Sequence, residues 1–450
     1  ALAYIIVPVV LAALTTSVGF ISFIFGAYLT MIKDFGIFTS LGTLFALILS
    51  VFFVPAVISA LSMYKKQKDE PVETEKKDFL SDKILRPLVN LLFKHPKYTL
   101  TFWGILLLLS IGGIFLIKTS VNMQDYFKKD NPTRVSENIM QEKFGGSQPV
   151  FVVFRGDMQS PEVLQTMIKT EDYMKKFPDI STTQSVADLV EQMNDAMGEG
   201  KKIPDEKEKI EQLWFLLDGQ DIMSQLVSDE LDEGIIQSKF ASNDSKNMED
   251  FVGYMNKFIK ENSSENCKIE LTGMPSVYVK MNDSLLKSQA GSLIIAILFV
   301  FIIVAFILSS PAKGIMATIP IISTIVILFG FMGFAGISLD IATVLVASVA
   351  LGIGIDYSIH VITHFNHGLK ETGNIDKALE NTIMVSGKAI IINVVSVAAG
   401  FLVLLFSQMV PLQNFGLLVA LSMFGSGLGA LTLLPVILIL VNRRIKITAK

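Results

Sequence analysis

In the stretch GIGIDYSIHVITHFNH, residues 352–367, Asp356 is the only Asp, Glu, Lys or Arg between Asp340 and Lys370. Its neighbours are glycines and aliphatic residues, followed by His360, His364 and His367. A carboxylate within a bilayer costs about 2.5–3.5 kcal/mol on insertion scales, so such residues are usually there to do chemistry. Burial penalises the charged form, and a carboxylate so placed can load and release a proton as access to it alternates. The Tyr357 hydroxyl can hydrogen-bond a carboxylate on a neighbouring helix. His360 lies one helical turn beyond Asp356 on the same face, and an imidazole suits proton exchange near neutral pH. His360 is equally compatible with an ordinary interfacial histidine.

Plainer roles exist for each of these residues. Asp356 could simply hold two helices together, and a cation other than a proton could be the coupling ion. Gly352 and Gly354 read as points of close helix approach. Asn393 and Ser396, and Thr15 with Thr16 and Ser17, could line a proton path or satisfy hydrogen bonds between helices. His360, His364 and His367 have a spacing that permits a metal on one face. No cysteine lies near them and only a loop could add a fourth ligand, so no metal is expected.

The elements that must position these groups are apolar. The 450 residues are 51% hydrophobic and 18% charged, with a mean hydropathy of +0.53, which points to the membrane class. The net charge of −4, with no basic run, argues against nucleic acid as a partner. The single cysteine, Cys267, rules out an internal disulfide. Eight runs approach the length of about 20 residues that a spanning helix needs: 3–25, 36–62, 98–117, 288–309, 314–335, 341–364, 389–406 and 413–441. Asp356 then falls about 23 Å along its helix, past the middle of a hydrocarbon core about 30 Å thick. The chain opens at Ala1 inside an apolar run, without Met or a leader, and is expected to continue from an upstream part.

Two hydrophilic segments interrupt the series. Residues 63–97 form a linker with nine Lys and Arg, and the loop with Lys313 and the tail NRRIKITAK fall on the same side, which is therefore expected to be cytoplasmic. Residues 119–285 then lie outside; they hold 18 Lys and Arg against 30 Asp and Glu, a net −12. In them QPVFVVFRGD alternates as a strand, SPEVLQTMIKTEDYMKKF starts a helix, and GIIQSKFAS, MEDFVGYMNKFIKE and CKIELTG read as strand, helix and strand. That order predicts a ferredoxin-like α+β domain, with an acidic helical insertion around 186–233.

An internal repeat is visible. Gly19-Phe20 matches Gly400-Phe401, Asp34-Phe35-Gly36 matches Asn414-Phe415-Gly416, and Pro55 matches Pro435. Helices one and two thus correspond to helices seven and eight, as in transporters built from duplicated halves. The expected organisation is 1–62, the last two helices of a first repeat; 63–97, a cytoplasmic linker; and 98–118, the first helix of a second repeat. It continues with 119–285, the outer domain; 286–441, a five-helix bundle carrying the motif; and 442–450, a cytoplasmic tail. Pro8, Pro55, Pro320 and Pro435 are expected kinks.

One helix, a large outer domain and five helices, with GxGxDYxxH on the fourth, resembles the RND superfamily. The similarity is greatest to its MMPL-type branch of lipid exporters and hydrophobe/amphiphile exporters. TGMPSVYVKMNDSLLKS, SSPAKGIMATIPIISTIVILFGFMGFAGISLD and LLFSQMVPLQNFGLL extend the resemblance over nearly the whole chain. HFNHGLKETG stands where the family often has an RxxEE-like segment. The resemblance implies a polytopic α-helical membrane protein with about eight spans here and an extracytoplasmic domain. It implies a secondary transporter of the cell membrane, driven by proton entry and exporting hydrophobic or amphiphilic molecules, lipids among them. Asp356 and Tyr357 would be one of two facing Asp-Tyr pairs, the other lying upstream of Ala1. Protons would be the coupling ion and no cofactor is implied; membrane lipids and the substrate are the implied partners, with a second copy or an adaptor protein left open. No Walker motif, GxSxG, HExxH or paired cysteine supports an enzyme. Two other readings stay open: a lipid-sensing receptor, because sterol-sensing domains share this five-helix core, and an accessory subunit of protein export.

Overall fold

The computed structural model describes residues 2–62, 80–120, 122–217 and 219–448. It divides into two compact units, Ala1–Thr119 with Ser284–Lys450, and Ser120–Asp283.

The first unit opens with α1 (Leu2–Gly26) and α2 (Thr30–Ile48), packed side by side. A π-helical turn, Leu49–Phe53, follows and leads into α3 (Val54–Ser62). Pro55 explains the turn: it has no N–H to donate and its ring crowds the carbonyl four residues back, at Val51. Residues 63–79 of the expected linker lie outside the described residues. The remainder of that linker is ordered helix, a π turn Ser81–Leu85 running into α4 (Arg86–Lys94). Apolar residues at helical spacing cause this, because Leu85, Val89 and Leu92 form one buried stripe. A spanning helix, α5 (Pro96–Ile114), comes next.

The second unit is an α+β structure. After α6 (Pro132–Phe144), β1 (Gln148–Arg155) alternates, burying Val150, Val152 and Phe154. Then come α7 (Pro161–Met174), β2 (Ile180–Gln184), α8 (Val186–Ala196), α9 (Lys207–Leu217), α10 (Met223–Leu226), β3 (Glu233–Phe240), α11 (Ser245–Asn262) and β4 (Lys268–Gly273). The strands pair antiparallel in the order β2-β3-β1-β4. Tyr173 of α7 stacks on Tyr254 and Phe258 of α11, with ring centroids 4.1 and 4.4 Å apart. β2 is the strand that the sequence pattern does not reveal, since ISTTQ is short and polar.

The chain leaves this unit along α12 (Met274–Ile307), which crosses the boundary, and continues through α13 (Pro311–Ala335), α14 (Thr343–Thr372), α15 (Ile375–Leu402), α16 (Val410–Leu431) and α17 (Leu433–Thr448). The expected last span, 413–441, is interrupted at Thr432, and Pro435 accounts for it as Pro55 does for the π turn. Its crowded carbonyl, at Leu431, ends α16. Thr432 secures the break by donating to Leu428 O and accepting from Trp103 Nε1 at 3.0 Å.

Seven helices among the described residues are long and apolar enough to cross a membrane, against eight expected runs. The first run, 3–25, lies in α1, of which Ala12–Gly26 is a shorter apolar helix. The α1–α2 and α15–α16 corners share a geometry. A Cβ at Gly36 would lie 2.7 Å from Phe20 O, and one at Gly416 would lie 2.5 Å from Phe401 O. The rings of Phe20 and Phe35 meet edge-on at 6.0 Å, and those of Phe401 and Phe415 at 6.1 Å.

Candidate functional site

The motif lies on α14, the helix around which the first unit is assembled, with α1, α13, α15 and α16 packed against it. Small residues permit this crowding: Ala347, Ser348, Ala350, Gly352 and Gly354 are all buried. The entry to α14 is held by the Asp340 carboxylate, which accepts from the N–H groups of Ala342 and Thr343 at 2.9 and 2.7 Å. Asp356 comes 13 residues after Thr343, about 20 Å up the helix.

Asp356 has a hydrogen-bond partner on α1. Thr15 Oγ1 donates to Asp356 Oδ1 at 2.8 Å, and one residue on, Thr16 Oγ1 donates to Gly352 O at 3.0 Å. The approach that makes both possible depends on glycine on each side. A Cβ at Gly352 would lie 3.2 Å from Thr16 Cα, and one at Gly19 would lie 3.1 Å from Gly352 Cα. Gly354 faces elsewhere, toward Ser426 of α16 and Ile321 of α13. Thr15 Oγ1 also lies 2.9 Å from Ala12 O. A hydroxyl has one proton to give, so Thr15 can donate to its own helix or across to α14.

The other side of Asp356 opens into a cleft of about 400 Å³ between α14 and α15. Its polar lining is Asp356, Tyr357, His360 and His364 from α14 and Ser386 and Asn393 from α15, set among apolar residues of those helices and Ala12 of α1. The α14 residues form one stripe because positions three and four apart share a helix face. Tyr357 does not turn to Asp356; its hydroxyl donates to Asn393 Oδ1 at 2.8 Å. His360 is half-buried, and His367 is exposed and 3.4 Å from Glu371.

The structure therefore brings together Asp356, Tyr357, His360 and Asn393, and leaves Ser396 exposed on α15 outside the cleft. Of the three neighbouring polar residues Thr15, Thr16 and Ser17 on the first helix, it is Thr15 that meets the carboxylate, through a contact that spans 341 positions of sequence. Ser386 carried no signal, yet it is 5% exposed, lines the cleft, and its Oγ has no hydrogen-bond partner among the described residues. A cleft of this size with several polar side chains in its lining can accommodate water, which would satisfy such a hydroxyl. No group of three or more His, Cys, Asp and Glu placed to hold a metal occurs among the described residues.

A bundle of long apolar helices with a carboxylate in a polar cleft, joined to an α+β unit, defines a multi-pass membrane protein. The chain belongs to the MMPL family, whose model matches residues 125–450. It is 24% identical over 369 residues to a putative membrane protein of Methanocaldococcus jannaschii, an overlap of 78% of this chain and 93% of that one. It is 24% identical over 178 residues to the sulfolipid-1 exporter MmpL8 of Mycobacterium tuberculosis, covering 39% of this chain and 16% of the exporter. Among solved structures, the hedgehog release protein Disp from the water bear Hypsibius dujardini matches 98% of this chain. The match spans 59% of that protein at a TM-score of 0.64 and 13% identity, a likeness of fold.

Proposed function

We propose that this chain is part of a proton-coupled secondary transporter that exports hydrophobic or amphiphilic molecules, lipids among them, across the cytoplasmic membrane. Family membership and the exporter relative support membrane transport of such molecules. The observation that carries proton coupling is Asp356, a lone carboxylate between a hydroxyl on α1 and a polar cleft that also holds His360. Ionised, it is a strong acceptor that holds Thr15 and ties α1 to α14. Protonated, it accepts less well, Thr15 turns to Ala12 O, and the α1–α14 tie loosens. His360, one turn away, exchanges the proton with the cytoplasmic end, while the Tyr357–Asn393 bond fixes α15 against α14.

In this reading Ser120–Asp283 is extracytoplasmic and ferredoxin-like, which the antiparallel order β2-β3-β1-β4 supports. The matching α1–α2 and α15–α16 corners support a duplicated architecture. The test is gradient-driven export of labelled lipids or amphiphiles from liposomes holding the full protein. Asp356→Asn is expected to abolish the part of export that depends on an imposed pH gradient. Export by Asp356→Asn equal to wild type under the same gradient would rule proton coupling at this residue out.

A further inference from the structure

A second cavity, of about 510 Å³, lies on the flank of the bundle between the Ser81–Lys94 segment and the α15–α16 pair. From its position we propose that it holds the acyl chain of an anionic lipid, with the headgroup beside Lys83. The proposal depends on the membrane location of the bundle and is independent of proton coupling.

The sequence of this segment divides its surface into three stripes at helical spacing. Leu85, Val89 and Leu92 are buried against the bundle, and Arg86, Asn90 and Lys94 are exposed and polar. The third stripe, Ile84, Pro87 and Leu91, is apolar and yet exposed, with Ile84 at 42% and Leu91 at 46%. It forms one wall of the cavity, and Val394, Phe424 and Leu428 form the other. Among the described residues, Lys83 is the only charged one in the lining. An apolar trough with a cation at one place matches a hydrocarbon chain with an anionic head.

Depth in the bilayer supports the same occupant. Along α15, Asp376, Lys377, Glu380 and Lys388 precede a run, 389–406, without any charge. The cavity uses Ile390, Ile391, Val394 and Val395, the first turns of that run. It therefore begins where headgroups end and extends into the hydrocarbon, with the basic face of α4 at headgroup level, where Lys and Arg attract anionic lipid. The volume lies in the range of about 300–1,000 Å³ usual for small-ligand sites. Three turns of a helix about 10 Å across need more than this, on the order of 1,000 Å³, which favours a lipid chain over a further helix.

The experiment places the full protein, carrying Phe424→Trp, in phosphatidylcholine nanodiscs and measures fluorescence quenching after subtracting the signal of the unsubstituted protein. Dibromo-acyl phosphatidylglycerol is compared with dibromo-acyl phosphatidylcholine. Half-quenching is expected at about a fivefold lower mole fraction of the anionic lipid, the preference of about one basic residue at a membrane surface. Lys83→Gln is expected to remove that preference. Leu91→Phe, filling the trough from its open edge, is expected to reduce quenching by both lipids with Lys83 still in place. Equal quenching by both lipids, or a preference that survives Lys83→Gln, overturns the proposal and leaves only a solvating lipid layer.

Discussion

The Thr15–Asp356 hydrogen bond can be weighed by a double-mutant cycle. Thr15→Val keeps the shape of the side chain and removes the hydroxyl, and Asp356→Val removes the acceptor. In soluble proteins a hydrogen bond to a charged group contributes about 1.5–3 kcal/mol. Inside membrane proteins, measured side-chain bonds between helices average about 0.6 kcal/mol and reach about 1.7. The structure argues for a value inside the membrane range and below the soluble one. Asp356 has one side open to the cleft, where water competes for it, and Thr15 has Ala12 O at 2.9 Å as a second acceptor. Removing Asp356 therefore leaves Thr15 satisfied, and no orphaned-donor penalty inflates the coupling. A coupling of about 1 kcal/mol is expected, read from unfolding of the full protein in mixed micelles with increasing dodecyl sulfate. Thr15→Val alone is expected to cost about that amount in wild type and close to nothing in the Asp356→Val background. Distant sites add to within about 0.3–0.5 kcal/mol. A coupling inside that margin would refute the claim that this bond ties α1 to α14, and with it the switching of Thr15 between acceptors.

Three further outcomes are expected. On α13, a Cβ at Gly333 would collide with the Gly113 carbonyl of α5, a backbone atom that cannot rotate away, whereas Gly112 has nothing within 4 Å. Gly333→Ala should thus cost at least the roughly 1–3 kcal/mol of ordinary overpacking or displace α5, and Gly112→Ala should be neutral or mildly stabilising in the same unfolding assay. Leu85, fully buried with its Cδ2 at 2.7 Å from a Cβ placed at Gly387, anchors the α4 segment; Leu85→Ala should cost about 2–5 kcal/mol and raise amide exchange across 81–94. In the second unit, burial pushes the Glu171 carboxyl above its ordinary value of 4.5, opposed by hydrogen bonds from Ser185 and Thr183. A raised folded-state value means stability that is complete below the unfolded value and is lost as pH rises through the folded one. Glu171→Gln should therefore flatten the decline in stability of this unit above about pH 4.5, followed by amide exchange in α7; an unchanged pH profile would show that Glu171 does not titrate in that window.

Much of this protein is determined locally and so is legible in the sequence. Apolar runs of about 20 residues are satisfied in hydrocarbon as helices, which is why α5 and α12 to α16 follow from composition. Alternation in QPVFVVFR and helical spacing in SPEVLQTMIKTEDYM fix β1 and α7 by the same logic, and a charge surrounded by aliphatics marks Asp356. The extents of the helices are less legible, because hydropathy falls at the bilayer surface while the helix does not stop there. α14 runs on to Thr372 and α15 begins at Ile375, well outside their apolar cores. Composition likewise makes 81–94 look like linker, although its apolar residues sit on separate faces of one helix.

Tertiary structure alone decides who meets whom. Thr15 and Ser396 are both hydroxyls in apolar helices, and they occupy matching places in the repeat. Thr15 reaches Asp356 because Gly19 and Gly352 let α1 and α14 approach, whereas Ser396 faces outward. Tyr357 looks like a partner for a carboxylate until α15 brings Asn393 within 2.8 Å of it. Ser386 has no sequence signal at all, because being buried, without a hydrogen-bond partner among the described residues and in the same cleft as Asp356 is a property of packed helices. Residue type and spacing announce that a site exists; the helix packing assigns each of its atoms a neighbour.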